Sequence, residues 1–343
     1  MALVYNVNNT ATQVLAAKQV KENIFVNLLH HNGKGVTQHE ETNVSTLRML
    51  KVKPNLADAR ELSNNVNSIS TNGGFFNSQE AQFTQVDEYD LNLLYVYDRV
   101  TDIPEVQQDM CPANLFDNTT KNIGGRIATE INASTLAAQL LASIKASNTV
   151  TVADGNVEGK YYAAIQDAST KLDDGDDENF IQAFPFDERE IIMRPQFRSK
   201  LMSDKGVLIG GSNYAQSMIA KGVVSPDANK DFGNMYVGEI DMIPCHVAPK
   251  AIWDRASQWI SKTQPSLFNG VGAVMCAASA TDRGISTLDY IKTIDSPSGA
   301  GKRLQPKTRW GINVCYPKGV VTILDGAAPD LESYDKIFAP GNV

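Results

Sequence analysis

Cys245 and His246 come first among the residues that can do chemistry, because a thiol and an imidazole together make a nucleophile and its base. Adjacent residues on a strand point to opposite faces, so these two cannot meet. A buried thiol beside a half-exposed histidine is expected instead. Gly210 to Tyr214 approaches the G-x-S-x-G turn of a serine nucleophile, but Tyr214 stands where the second glycine must relieve crowding. The run SPSGAGKR resembles a phosphate loop, yet Ser296 replaces its first glycine and Arg303 its metal-holding hydroxyl residue. His30, His31, His39, Glu40 and Glu41 are metal-capable, but their spacing fits no helical ligand pair, so they are assigned to a flexible arm. Asp174, Asp176 and Glu178 alternate like the opening of a calcium loop. Asn179 then stands in for the turn glycine and Pro185 for the closing glutamate, which leaves a solvated acidic turn with weak cation binding at most. Lys302, Arg303, Lys307 and Arg309 lack interleaved aromatics to stack bases and read as a salt-bridging surface.

The stretch FPFDEREIIMRPQF sets four charges, Asp187, Glu188, Arg189 and Glu190, ahead of a wholly apolar run. No partner motif makes them an acid and base pair. Strand alternation sends Glu188 and Glu190 to one side and Asp187 and Arg189 to the other, a pattern for contact with a neighbour. Such ion pairs fix register better than they supply affinity.

The elements that must carry these residues follow from periodicity. Val44–Val52 and Phe83–Tyr97 read as strands, the second with Leu91, Leu93, Tyr95 and Tyr97 on one face. Between them lies a long Asn-, Ser- and Gly-rich connection, which marks a functional or partner-binding extension. Phe75 and Phe76 at its tip have nothing nearby in sequence to pack on and call for a surface from elsewhere. A helix is predicted over about 112–147, apolar over more than half its circumference and therefore covered on both sides. Gly124-Gly125 within it implies a late start or a close approach. Further expectations are a strand at VTVA, a helix over 159–172, an inner strand over 181–195, a helix opened by Pro195, and a loop over 206–236. A strand over 237–247, a helix over 251–260, a strand over 270–278, a hairpin-like region and two closing strands complete the chain. Strands before and after a helical middle make this an α+β order.

Composition narrows the function. With 42% hydrophobic and 20% charged residues the chain is globular, and a net charge of −8 opposes a general grip on nucleic acid. The apolar run VGAVMCAASA is far too short for a membrane span. Cys111, Cys245, Cys276 and Cys315 are scattered without a C-x-x-C pair, as expected of reduced thiols. No residue set points to a cofactor.

Taken in order, the arm, the two-stranded extension, YVYDRVTDIPEVQQDM running into the long helix, a helix ending in LDD, F-x-x-R-x-I-I-M-R-P-x-F-x-x-x-L-M and WGINVCYPKGVVTI together resemble the major capsid proteins of tailed bacteriophages. That resemblance implies the Hong Kong 97-like α+β capsid fold. Its expected parts are an N-terminal arm (1–45), an extended loop (46–97), a peripheral domain (98–155 and 301–343) with a long spine helix, and an axial domain (156–300). It also implies a structural role without catalysis: copies of the chain forming pentamers and hexamers of an icosahedral phage head that encloses double-stranded DNA without specific recognition. The virion would be its location, after assembly in the host cytoplasm, with a portal and a separate scaffolding protein as partners. No long charged scaffold segment opens the chain, so an unprocessed N-terminus is expected. Phe75, Phe76, Asp187, Glu188, Arg189 and Glu190 are the candidate subunit-interface residues, with flexing near Gly73 and Gly74 and at the spine-helix junctions. The alternatives are an encapsulin-like nanocompartment shell, a soluble α+β enzyme, and a tail-tube or baseplate protein.

Overall fold

A computed structural model of the chain describes residues 15, 18–25, 27–30, 32–42, 44–53, 85–104, 115–179, 181–204, 235–295, 301–334 and 336–337. Phe75, Phe76, Gly73 and Gly74 lie outside the described residues, as do Cys111 and the Gly210 run. The strands and helices run β1 (Thr37–Thr42), β2 (Thr46–Lys53), β3 (Gln85–Asn92), β4 (Tyr95–Asp98), β5 (Thr101–Pro104), α1 (Leu115–Lys145), β6 (Thr149–Thr151), α2 (Lys160–Asp173), β7 (Arg189–Met193) and α3 (Pro195–Ser203). They continue with β8 (Tyr236–Ile240), β9 (Ile243–Val247), α4 (Lys250–Ile260), β10 (Val271–Ala277), β11 (Thr281–Asp295), β12 (Gly301–Val314) and β13 (Val320–Leu324).

α1 organises the body. Residues 131–141 are buried without a break, so this helix is enclosed on all sides, as its wide apolar face requires. α4, β12 and β13 pack around it. The helix runs straight through Gly124-Gly125. A Cβ on Gly124 would come within 2.7 Å of the Asn23 Cβ, so the glycine admits the helical residues 18–25, while Gly125 faces open space.

The N-terminal segment is therefore docked on its own chain. Val20, Ile24, Leu28 and Leu29 join the central core. Asn132 of α1 accepts from the Leu29 N–H at 3.0 Å and donates to the Asn27 carbonyl at 2.9 Å. β1 then pairs in parallel with β11. The expectation of an extended arm over 1–45 fails for these residues because four large aliphatic side chains find a slot beside α1.

Two sheets flank the core. One has the order β6-β13-β10-β7-β9-β8, and the other runs β1-β11-β12-β4 with β5 also on β12. Domain boundaries at 155/156 and 300/301 pass through the first sheet, since β6 and β13 share its ladder with β10 and β7. β7 is buried at every position, a strand covered on both faces. The span 181–195 becomes strand only at Arg189, after a tight turn over Phe186–Glu188. The span 237–247 is a hairpin, not one strand: it reverses at Asp241 and Met242, whose φ values are 52° and 65°. No glycine announces that turn, so composition hid it.

Among the described residues β2 and β3 pair only with each other, in register from Thr46↔Asn92 to Lys53↔Gln85. The expected extended loop over 46–97 falls largely outside the described residues between these two strands. Its returning strand, β3, ends at Asn92 and is separated from β4 by Leu93-Leu94.

Candidate functional site

Polar side chains gather in two places. The first is the Asp187–Glu190 segment. The tight turn before β7 takes Asp187 and Glu188 out of the strand, so alternation does not govern them. Asp187 is exposed, and its carbonyl accepts from Lys34 Nζ. The Glu188 carboxylate accepts from the Ser279 N–H at 3.1 Å, and its carbonyl from the Gly35 N–H at 2.9 Å.

Arg189 and Glu190 face inward. The Arg189 guanidinium, 1% exposed, donates to Asp173 Oδ1 at 2.5 Å, Ser169 Oγ at 2.8 Å and the Phe184 carbonyl at 2.8 Å. Glu190 is fully buried. His30 Nδ1 donates to one of its oxygens at 3.0 Å, and His246 Nδ1 lies 2.8 Å from the other. Arg283, also fully buried, donates to the His30 carbonyl at 3.0 Å and to Gln38 Oε1. As interface candidates Arg189 and Glu190 are thus corrected: both are held inside their own chain, because β7 is central in its sheet and the N-terminal segment closes over it.

The electrostatics of this clasp follow from burial. Desolvation pushes the Glu190 carboxyl up, but attraction to His30 and His246 and their hydrogen bonds outweigh it and hold it down to about 2. Burial pulls Arg283 down to about 10 against the opposing pull of Glu190. The same burial drives the Cys276 thiol well up, with Glu190 adding to it. Gly35 (φ 68°) makes the close approach possible, since a Cβ there would come within 2.6 Å of both Glu190 Oε2 and His30 Nδ1. His246 is 1% exposed, not half-exposed, while Cys245 is buried as expected. His30 belongs to the core, not to a flexible arm.

The second place is the root of the β2–β3 extension. Tyr89, Leu91 and Leu93 share a face by the two-residue period and lie over β11 and β12. The Tyr89 hydroxyl donates to Asp282 Oδ2. Cys315 Sγ sits 3.2 Å from that oxygen and 3.3 Å from the Tyr89 hydroxyl, and His39 Nε2 lies 3.7 Å from the other Asp282 oxygen. Burial, followed by the bonds to Asp282 and Cys315, raises the Tyr89 phenol far above its ordinary value, so it keeps the proton it donates to Asp282. Beside this root Leu94, Val96 and Val100 expose 74%, 50% and 45% of their surface, an apolar strip on the outer side of β4.

The other chemical candidates resolve into structure. Arg303 forms a two-pronged pair with Asp102 at 2.6 and 2.9 Å, the salt-bridging role expected of it. Asp176 in the acidic turn is 2% exposed and binds Lys318 Nζ at 3.0 Å and Asn179 Nδ2 at 2.6 Å, so this carboxylate is not solvated. Among the described residues no group of three or more His, Cys, Asp or Glu is placed to hold a metal ion. Among the same residues no helix is long and apolar enough to cross a membrane.

No family model and no curated protein matches this chain. Solved structures do. The chain is similar to the capsid of Ralstonia phage GP4, with a TM-score of 0.54 and 11% identity over 88% of this chain and 89% of that one. It is similar to a structure from Microbacterium phage Oxtober96 with a TM-score of 0.52 and 11% identity, over 86% and 90% of the two chains. A structure from Mycobacterium phage Bobi gives 0.50 and 12% over 86% and 90%. The chain has the Hong Kong 97-like α+β fold of phage capsids.

Proposed function

We propose that this chain is a major capsid protein whose copies close into the pentamers and hexamers of an icosahedral phage head around double-stranded DNA. The observation that carries the reading is a likeness of fold to a phage capsid over 88% of this chain and 89% of the other. Two features of the surface support it. Among the described residues the β2–β3 pair joins neither of the two larger sheets, and two strands alone are marginal in water, so a neighbouring copy is the surface they need. The exposed strip of Leu94, Val96 and Val100 beside that root is apolar surface of the kind that copies cover. Asp187 and Glu188 at the surface, and Phe75 and Phe76 in the connection, remain our candidates for contacts between copies.

In this reading residues 46–97 reach over a neighbour, 98–155 with 301–343 form the peripheral domain around α1, and 156–300 form the axial domain, the two sharing one sheet. Each contact is modest, and a copy held by several neighbours gains by multivalency. Head-to-tail contacts that complete a ring leave no open edge. A net charge of −8 suits a container that does not hold its DNA tightly. The role is structural and without catalysis, the place of assembly the host cytoplasm, and a portal and a separate scaffolding protein are the further partners.

Negative-stain electron microscopy of the purified chain, alone and with the scaffold encoded beside it, tests the reading. Closed shells of uniform size are expected, and nuclease-protected DNA inside native particles separates a phage head from a cargo compartment. A chain that stays monomeric at high concentration in both preparations refutes it.

A further inference from the structure

Gly284 on β11 and Gly311 on β12 stand directly opposite each other in the ladder, and together they make a flat spot on an otherwise side-chain-covered sheet. The root of the extension rests on that spot. A Cβ on Gly311 would lie 2.3 Å from the Asn92 carbonyl oxygen and 3.2 Å from the Leu93 Cα. A Cβ on Gly284 would lie 2.7 Å from the ends of Leu47 and Leu93. Neither glycine has a positive φ among the described backbone exceptions, so space, not conformation, is what the two positions provide. At Gly311 backbone lies on backbone, which no side-chain rotation can relieve.

A second attachment lies two residues further out along β3. The Tyr89 hydroxyl reaches Asp282, two residues before Gly284, and Cys315 and His39 complete the polar contact. Among the described contacts at the root, these two differ in character. The seat is a steric contact without a directional bond, so it tolerates rotation. The latch is a hydrogen bond, whose strength falls steeply with angle.

We propose that the Gly284–Gly311 seat is the pivot of the extension, and that the Tyr89–Asp282 latch sets its angle. Identical copies would then present the extension at different angles by making or breaking one side-chain contact, without unfolding a strand. The inference rests on the shell reading for its purpose, though not for its geometry. It moves the place of flexing from Gly73 and Gly74 to the sheet under the root.

Amide hydrogen exchange on the full, unassembled chain tests it, with Tyr89→Phe, Gly284→Ala and Gly311→Ala against wild type and a Gly125→Ala control. In the wild type, residues 85–92 are expected to be protected. Tyr89→Phe should raise their exchange about tenfold, the factor for one lost hydrogen bond to a charged group, and leave β10 and β13 unchanged. Gly311→Ala should raise exchange in both 46–53 and 85–92, and Gly284→Ala less so, because flexible side-chain ends can give way there. Electron microscopy of the assembled variants should then show a broader range of particle sizes than wild type.

The proposal is overturned if residues 85–92 are unprotected in the wild type, or if Tyr89→Phe leaves them unchanged. It is also overturned if the variants loosen β10 and β13 equally, which would mark a general loss of stability. Should Gly311→Ala fail to fold, Tyr89→Phe and Gly284→Ala decide the matter. Absence of shells from the wild type would sink the shell reading alone, because the exchange measurement needs none.

Discussion

Replacing Glu190 by Gln keeps the shape of the clasp and removes its negative charge. Arg283 then lies buried without the charge that opposes it, and each histidine faces an amide. The carboxyl ordinarily titrates at 4.5 and is held at about 2 in the fold. At about 1.4 kcal/mol per unit, ionised Glu190 contributes on the order of 3 kcal/mol at neutral pH. Mutational experience with buried pairs that lose one partner, about 3–5 kcal/mol, agrees. For a chain of this length the loss lowers the melting temperature by about 4 °C. The folded value lies below the unfolded one, so the contribution is complete above pH 4.5 and disappears as pH falls through about 2. Trp253 and Trp310, 0% and 2% exposed, and Trp259 are buried in the body and report its unfolding by fluorescence. Guanidinium titrations of unassembled wild type and variant at pH 7, 4 and 2.5 should show a gap that narrows with acid. A variant as stable as wild type at pH 7, or a gap that widens in acid, would show that Glu190 is not the centre of this cluster.

Other substitutions probe the frame around it. Met242→Gly should stabilise the β8–β9 hairpin by about 1 kcal/mol, because it relieves a left-handed residue at φ 65°; a rise in melting temperature checks this. Gly272→Ala should destabilise by about 1–3 kcal/mol through overpacking, since the new Cβ would sit 2.3 Å from the Phe197 ring; denaturant midpoints read the effect. Arg189→Ala should cost about 3 kcal/mol by leaving the buried Phe184 carbonyl without its donor and emptying a packed site, whereas Asp187→Ala, at an exposed side chain, should leave the unfolding midpoint unmoved.

Periodicity made much of this fold legible. α1 could be read because its apolar residues wrap most of the circumference, and that same breadth told that it is enclosed. The β2–β3 pair could be read from alternation and from the long polar connection between them. The Asp187–Glu190 segment could not. Charges ahead of a strand look like surface when sequence alone is considered, and alternation assumes a strand with one wet face. β7 has none, and the partners of Glu190 come from His30 and His246, 160 and 56 positions away. Nothing local to any of the three marks the meeting. The Gly284–Gly311 seat was hidden for a similar reason: each glycine sits inside an ordinary strand, and only their register across the ladder reveals the flat spot. The docked N-terminal segment could have been suspected from Val20 and Ile24, four residues apart on one helical face.

β13 lies between β6 and β10 and is buried at all five positions. This inner strand is therefore made after both of the strands it joins. Until it arrives, β6 and β10 each lack a partner along one edge, and a nascent chain cannot close its interior. A chain cut short before residue 320 therefore cannot complete this sheet and should be cleared by proteases.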